Sequence, residues 1–206
     1  KKNYGSKEAV KNINFEIKEN EIIGLLGPNG CGKTTTIGMI LGLLKPSKGK
    51  VLINGYEIES NRVDLLNNLN FISPYIELPK KLTVRQNLEI YGRLYDVKNL
   101  TSKIEYLTEK LRLNEIIYKI TGELSSGQKN RVSLAKSIIN DPTVLLLDEP
   151  TASLDPETGD FVRSFLENYQ KEKKASILLA SHNMAEVERL CSSVLMMKNG
   201  IIIDQD

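Results

Sequence analysis

The sequence predicts an α/β fold: a core built around a glycine-rich loop, an N-terminal antiparallel β subdomain and an inserted helical subdomain. First, the apolar run of residues 22–26 leads into the glycine-rich segment GPNGCGKTT at 27–35, and a proline-free apolar stretch at helical density follows. Second, residues 143–147 form a continuous apolar run, as in a strand covered on both faces. Third, the segment from about residue 73 to 127 separates these two parts of the chain, and its apolar residues recur at helical spacing.

The first third of the chain is predicted to be β-rich, with one helix after the glycine-rich segment. Ile13, Phe15 and Ile17 alternate with polar residues, as in a half-exposed strand. Asn54-Gly55 separates two short apolar runs, which predicts a hairpin with a type I′ turn. These stretches form the predicted antiparallel subdomain.

The middle third becomes helical after about residue 60. Apolar residues recur at helical spacing, and we predict helices over 61–69, 83–95, 102–111 and 114–119. Thr83 is the expected N-cap of its helix. Residues 71–73 are expected to be extended because Pro74 disfavours helical backbone in the residue before it.

The last third returns to alternating helices and strands. In order, we predict a helix over 128–139, the strand 143–147, a helix opening at 155–156, a strand over 176–180, a helix over 184–190 and a closing hairpin over 194–203. Asp155 is a candidate cap with Pro156 at the first helical position. We expect one domain over 1–206, with 1–72 and 128–206 as its core and about 73–127 as its helical subdomain.

Composition excludes several classes of function. A net charge of +2 over 206 residues is too small to argue for nucleic acid or an anionic membrane surface as partner. No apolar run approaches the roughly 18 residues that a membrane-spanning helix requires. Two cysteines, Cys31 and Cys191, suggest no disulfide framework, so a reducing, cytoplasmic setting fits best.

The segment 27–35 satisfies G-x-x-x-x-G-K-[ST], the pattern of a P-loop NTPase core. A strand, a glycine-rich turn and a helix together direct backbone N–H groups and a helix N-terminus at a polyphosphate. Lys33 would reach the β- and γ-phosphates, and the Thr34 hydroxyl would ligate Mg²⁺. The alternative, a chance glycine turn, fits the flanking strand and helix poorly.

Two carboxylates follow the apolar strand at 143–147. Asp148 is placed to hold Mg²⁺ through water, and Glu149 to orient or deprotonate an attacking water. The alternative is two solvated acids at a strand end, which the upstream Lys33-Thr34 pair disfavours.

The pentapeptide LSSGQ at 124–128 stands directly before a predicted helix. A serine and a glycine turn at a helix N-terminus can make a second anion site. A plain N-cap by Ser125 or Ser126 explains the pentapeptide alone equally well. The acids downstream favour the anion site.

These motifs together carry a family resemblance. In order along the chain they are the phosphate loop, LSSGQ at 124–128, LLLDEP at 145–150, SLD at 153–155 and SH at 181–182. The chain resembles the ATPase subunit of ABC transporters over essentially its whole length. The resemblance implies ATP and Mg²⁺ as cofactors.

The resemblance assigns a role to each motif. Residues 27–35 correspond to Walker A, whose ATP-binding residues would be Asn29, Gly30, Cys31, Gly32, Lys33, Thr34 and Thr35. Asp148 and Glu149 resemble Walker B and its catalytic glutamate. Tyr4 resembles the aromatic that stacks on adenine, with a lone exposed tyrosine as the alternative.

The remaining roles concern the γ-phosphate and the dimer. His182, the only histidine, resembles the switch residue that contacts the γ-phosphate. Asp155 resembles the aspartate that communicates across the dimer. Ser125, Ser126 and Gly127 resemble the signature that closes on ATP bound to the other subunit. The resemblance therefore implies a dimer that sandwiches two ATP molecules.

Two positions depart from the family pattern. Ser126 replaces the usual glycine of the signature, where its hydroxymethyl group either crowds the γ-phosphate or adds a hydrogen bond. Pro74 stands where family members usually carry a glutamine that contacts Mg²⁺ and water, and proline has neither a side-chain donor nor an acceptor. We expect Mg²⁺ to keep an extra water there and Pro74 to couple by shape.

The function implied by the resemblance is ATP hydrolysis that powers a membrane transporter. The expected partners are a transmembrane permease and a second ATPase subunit, with no nucleic acid, and the expected location is cytoplasmic, peripheral on the inner face of the membrane. The stretch 74–95 resembles ATPases of two-component exporters, of the drug or sodium efflux type. A soluble ABC ATPase acting on ribosomes or DNA, and a low-turnover regulatory module, remain alternatives.

Overall fold

The computed structural model describes residues 1–74, 76–152 and 154–205. Its main element is a six-stranded sheet formed by β3 (Ile22–Leu26), β6 (Leu69–Ile72), β7 (Val144–Asp148), β8 (Ser176–Ser181), β9 (Ser193–Lys198) and β10 (Ile201–Gln205), in the spatial order β10-β9-β3-β8-β7-β6. Five strands run parallel and β10 is antiparallel at one edge. Because parallel strands end at the same edge, the segments after β3, β6, β7 and β8 are brought together there.

Two small antiparallel ribbons lie outside this sheet. They are β1 (Lys2–Tyr4) with β2 (Lys7–Val10), and β4 (Leu52–Ile53) with β5 (Tyr56–Glu57). The turn between β4 and β5 has φ of 52° at Asn54 and 80° at Gly55, which confirms the predicted type I′ turn.

The predicted strand at Ile13, Phe15 and Ile17 is wrong. These three side chains do pack against the core while their polar neighbours are exposed, so the period of two is present. However, residues 13–18 form no ladder with any described strand. Alternating burial arises from one-sided packing of an extended chain, and it does not require a pairing partner.

The helices follow the predicted order. They are α1 (Lys33–Ile40), α2 (Arg62–Asn67), α3 (Val84–Leu94), α4 (Leu100–Lys110), α5 (Ser126–Ser137), α6 (Pro156–Lys173) and α7 (Met184–Leu190), with a 3₁₀ turn at Thr121–Glu123. Thr83 forms a capping box with Gln86, as its position before an apolar stretch predicts. α5 begins two residues earlier than predicted because Ser125 is its cap.

The predicted helix over residues 114–119 is wrong, since this segment forms a series of turns. The carbonyl groups of Ile117 and Lys119 accept hydrogen bonds from the backbone N–H groups of Arg85 and Val84, at 2.8 and 3.0 Å. These carbonyls satisfy the first donors of α3, which a helix N-terminus otherwise leaves unpaired. Within the segment itself, Ile116 N–H donates to the Leu113 oxygen and Lys119 N–H to the Ile116 oxygen, both at 2.9 Å, so it closes three-residue turns and not an α-helix.

Apolar side chains cover both faces of the sheet. Leu145 and Leu147 belong to the cluster that packs against α3–α6, whereas Leu146 belongs to the cluster around α1 and the two ribbons. All three are at most 1% exposed. Successive residues of a strand point to opposite faces, so the continuous apolar run of β7 is explained. No helix within the described residues is long and apolar enough to span a membrane.

Candidate functional site

The glycine-rich loop passes from β3 to α1 along a path that side chains would obstruct. A Cβ atom on Gly27 would lie 2.2 Å from the backbone oxygen of Met197. Gly32 precedes α1 with φ of 115°, and a Cβ there would lie 2.8 Å from the Ala9 backbone oxygen. The glycines at these two positions are therefore required by close packing of the backbone.

Lys33 is the first residue of α1 and is only 6% exposed. Its Nζ donates a hydrogen bond to the Gly27 backbone oxygen at 2.6 Å and lies 3.8 Å from Glu149 Oε1. No side chain caps this end of α1 within the described residues. The loop thus presents an ammonium group and the positive end of a helix together, which is a favourable site for a phosphate chain.

Thr34 and Asp148 meet at the same edge of the sheet. Thr34 Oγ1 donates to Asp148 Oδ2 at 3.1 Å, and Asp148 is 2% exposed. Burial raises the pKa of Asp148, and the charge of Glu149 adds to this effect. The hydroxyl of Thr34 and the charge of Lys33 oppose the rise in pKa. This pair of hard oxygen ligands has the chemistry that Mg²⁺ prefers.

Glu149 follows β7 with a left-handed backbone, at φ of 52°, which is uncommon for a residue other than glycine. Its N–H donates to the Ala180 backbone oxygen at 2.8 Å. Its carboxylate oxygen Oε1 lies 2.8 Å from His182 Nδ1. The side chain of Glu149 is 14% exposed and that of His182 is 56% exposed, so the pair lies at the rim of the site.

Other predicted ATP-binding residues lie in the same loop. Asn29 and Gly30 are exposed, and Cys31 is 3% exposed with its thiol packed in the core. Thr34 is exposed and Thr35 is half-buried on α1. Because the side chain of Cys31 is buried, a ligand in the loop would contact its backbone and not its thiol.

Tyr4 lies on β1, 48% exposed, with Lys2 Nζ 5.3 Å from the centroid of its ring. An exposed ring on a short ribbon can stack on a planar ligand, although one face is already in contact with a cation.

The signature residues lie at the N-terminus of α5. Ser125 Oγ accepts from Gln128 N–H at 3.3 Å, and Gln128 Oε1 accepts from Ser125 N–H at 3.0 Å. The N-cap interpretation of Ser125 is thus present in the structure, and it does not conflict with anion binding. Ser125 and Ser126 are exposed and Gly127 is half-buried, with no acidic residue in the first turn.

Asp155 caps α6 by accepting from Thr158 N–H at 2.9 Å, which also lowers the pKa of Asp155. Pro156 is the first residue of that helix, as predicted. Ser153, which was part of the motif at 153–155, lies outside the described residues.

Sequence reasoning missed Ser73. In the parallel register, Ile72 pairs with Leu147, so Ser73 follows β6 alongside Asp148, and its side chain hydrogen-bonds to that carboxylate. Pro74 itself is exposed, and with Ser126 and Glu149 it lines a cavity of about 250 Å³. The sequence signal available for Ser73 was its position directly after an apolar strand that ends at this edge of the sheet.

Comparison with known proteins agrees with this site. The family model for ABC transporters matches residues 10–152. The ABC transporter ATP-binding protein NatA of Bacillus subtilis (strain 168) is 33% identical over 199 residues, which are 95% of this chain and 80% of NatA. The Nod factor export ATP-binding protein I of Rhizobium johnstonii is 39% identical, and the match covers 97% of this chain but only 64% of that protein.

A solved structure supports the same assignment. CbiO1 from Clostridium perfringens, part of the ABC transporter complex CbiONQ, is 32% identical and superposes with a TM-score of 0.83, over 96% of this chain and 81% of that one. The predicted α/β P-loop fold and the predicted ABC ATPase are therefore confirmed. The glycine-rich loop, the paired acids, the fold and these matches all agree. The chain belongs to the ABC transporter family, among its ATP-binding proteins.

Proposed function

We propose that this chain hydrolyses Mg·ATP to power a membrane exporter, and that it works as a dimer enclosing two ATP molecules. The main support is the convergence of Lys33, Glu149 and His182 on one edge of the sheet, beside the Thr34–Asp148 pair. Phosphoryl transfer depends on positioning and charge stabilisation, and these groups supply both.

In this proposal the loop binds the phosphates of ATP. Lys33 exchanges its hydrogen bond to the Gly27 carbonyl for the β- and γ-phosphates, while backbone N–H groups of residues 29–35 surround the phosphate chain. Tyr4 stacks on adenine. Thr34 and Asp148 would hold Mg²⁺, the latter through water, and bound Mg²⁺ would neutralise charge on the phosphate oxygens.

Glu149 and His182 act at the γ-phosphate. The Glu149 carboxylate accepts a hydrogen bond from the attacking water and so orients it. His182, in contact with the same carboxylate oxygen, donates to the γ-phosphate. Both roles are consistent with side chains at the rim of the site, where a phosphate and a water can reach them.

The site is completed by a second chain. We place Ser125, Ser126 and Gly127 at the γ-phosphate of the ATP held by the opposite subunit, with Asp155 between the two sites. Support comes from the exposure of Ser125 and Ser126 and from the positive end of α5, whose first turn carries no acidic residue. A dimer of this kind opens and closes with the ATP cycle, which can drive movement in a partner.

The partner in this proposal is a transmembrane permease, with the chain bound peripherally at the inner face of the membrane. CbiO1 is part of a transporter complex, and the Rhizobium relative is named for Nod factor export. From the arrangement of its helices and strands, we also propose that 1–206 is one ABC ATPase domain, with a core of 1–72 and 128–206 and a helical subdomain of about 73–127.

The experiment compares ATP turnover and ATP binding in the wild type and in Glu149→Gln. We expect turnover by the wild type, and loss of turnover with retained binding in the variant. Glu105→Gln is a matched control, because this exposed glutamate on α4 loses the same charge. No turnover by the wild type, even with its membrane partner, would contradict the proposal and favour a regulatory module.

A further inference from the structure

A buried glutamate that was not among the predicted site residues links two segments of the site. Glu186 lies in the first turn of α7 and is 2% exposed. Its Oε1 accepts from Thr151 Oγ1 at 2.6 Å and its Oε2 accepts from Ser181 Oγ at 2.7 Å. Both donors are neutral hydroxyl groups. No ion pair of Glu186 is present among the described residues, and burying a carboxylate without one is costly, so this arrangement requires an explanation beyond packing.

The two hydroxyls flank the proposed catalytic pair, one in the turn after β7 and one on the last residue of β8. Thr151 is two residues after Glu149, and Ser181 directly precedes His182. The parallel ladder between β7 and β8 ends with Asp148 opposite Ala180, followed by the hydrogen bond from Glu149 N–H to the Ala180 oxygen. Beyond that point β8 continues to Ser181, which pairs with Leu26 of β3, and Glu186 links Ser181 to Thr151 through its two carboxylate oxygens.

We infer that Glu186 is a positioning residue that sets the separation between the turn at Thr151 and the end of β8 at Ser181, and thereby the 2.8 Å contact between Glu149 Oε1 and His182 Nδ1. The catalytic meaning of that contact rests on the proposed function, but the contact itself does not. Charge-assisted hydrogen bonds of this length are strong and directional, which suits a positioning role.

The chemistry of a carboxylate explains why glutamate is present. Both of its oxygens can only accept, so both hydroxyls must donate, and their orientation is fixed. Ser181 Oγ then has lone pairs free to accept from Asn183 N–H, at 3.0 Å, which fixes the backbone directly after His182. Glutamine has the same shape, but its NH₂ group would face one hydroxyl and reverse the direction of that bond.

The test uses His182 as a reporter, because it is the only histidine in the chain. We would record the imidazole ¹H and ¹⁵N resonances in the wild type and in Glu149→Gln, Glu186→Gln and Thr151→Val. We expect Glu186→Gln and Thr151→Val to move the His182 resonances in the same direction as Glu149→Gln. Glu188→Gln, an exposed glutamate of the same helix, should leave them unchanged.

Kinetics provide the second readout, expressed per nucleotide-binding site to remove any effect of unfolded protein. Glu186→Gln should lower kcat by about 10- to 100-fold with little change in KM, as expected for a small displacement of the catalytic pair. Thr151→Val should act in the same direction, and Thr151→Ser should retain wild-type kcat because it keeps the hydroxyl. If Glu186→Gln does not fold, the two Thr151 variants still decide the question.

The two proposals fail in different ways. Absence of ATP turnover in the wild type contradicts the proposed function, whereas the His182 resonances still test the position of Glu186. Unchanged His182 resonances in both Glu186→Gln and Thr151→Val would overturn the inference even if the wild type hydrolyses ATP.

Discussion

Lys136 gives a stability prediction whose magnitude follows from its surroundings. This residue is in the last turn of α5, and its Nζ lies 5.1 Å from the ring centroids of both Phe71 on β6 and Tyr91 on α3. It donates to Asn70 Oδ1 at 3.1 Å. Burial lowers the pKa of the Lys136 ammonium group from 10.5 to about 8.

The sign of the pH dependence follows from this lowered pKa. Between about pH 8 and 10.5 the unfolded chain holds a proton on Lys136 that the folded chain has released, so the free energy of unfolding rises with pH. The full slope is roughly 1.4 kcal/mol per pH unit. From pH 8 to 10 the gain in the free energy of unfolding is about 2 kcal/mol, because Lys136 is still half protonated in the folded chain at pH 8 and begins to lose its proton in the unfolded chain near pH 10. Well below pH 8 both states are protonated and the contribution is flat.

The assay is urea unfolding of the wild type and Lys136→Met at pH 7, 8, 9 and 10. Methionine keeps an unbranched side chain in the same space and removes the charge. We expect the stability difference, wild type minus variant, to increase by about 2 kcal/mol from pH 8 to 10. Lys171→Met is the matched control, since Lys171 is an exposed lysine in the last turn of α6.

One result would refute this reasoning. If the difference between wild type and Lys136→Met is constant from pH 7 to 10, the ammonium group titrates at its ordinary pKa in the folded chain. The two rings and the Asn70 oxygen would then stabilise the charge as well as water does.

Two further predictions concern the nucleotide site. Gly27→Ala should abolish ATP binding in a calorimetric titration, because the added Cβ would lie 2.2 Å from the Met197 oxygen and displace the loop. The control Gly55→Ala, in an open turn, should bind ATP normally. Unchanged ATP affinity of Gly27→Ala would contradict the packing argument. Pro74→Gln adds a polar side chain beside the cavity that Glu149 lines, and should lower the Mg²⁺ concentration needed for half-maximal ATPase activity. Unchanged Mg²⁺ dependence, ATPase rate and transport would show that Pro74 does not alter the metal site.

The fold was predictable where a local pattern determines the structure. Asn54-Gly55 requires positive φ at two successive positions, and Thr83 can cap only the helix that follows it. The apolar run of β7 followed by Asp148 and Glu149 likewise predicts a buried strand with acids at its end. In each case the evidence lies within a few residues of sequence.

The failures occurred where contacts with distant parts of the chain decide the backbone conformation. Residues 114–119 have helical spacing, but two of their carbonyls pair with the first turn of α3. The segment around Phe15 has the period of a strand but forms no ladder with a strand of the described part of the chain. Neither outcome can be derived from a local pattern, since each depends on what tertiary packing brings nearby.

The candidate site divides in the same way. Lys33, Thr34, Asp148, Glu149 and His182 were all expected from motifs, and the structure brings them together. The residues that support them were missed, because a serine after an apolar strand is a weak signal shared by many strands, and a glutamate in a helix is no signal at all. The sheet register and the fold of α7 onto β8 make them neighbours.

Closure of two copies of this chain around ATP is measured most directly by the mass of Glu149→Gln. Light scattering during gel filtration at saturating Mg·ATP should give twice the 23.1 kDa of one chain, and 23.1 kDa without nucleotide. Adding Ser125→Arg should restore the monomer, because a bulky cation blocks the signature helix. A mass of 23.1 kDa for ATP-saturated Glu149→Gln would contradict the account.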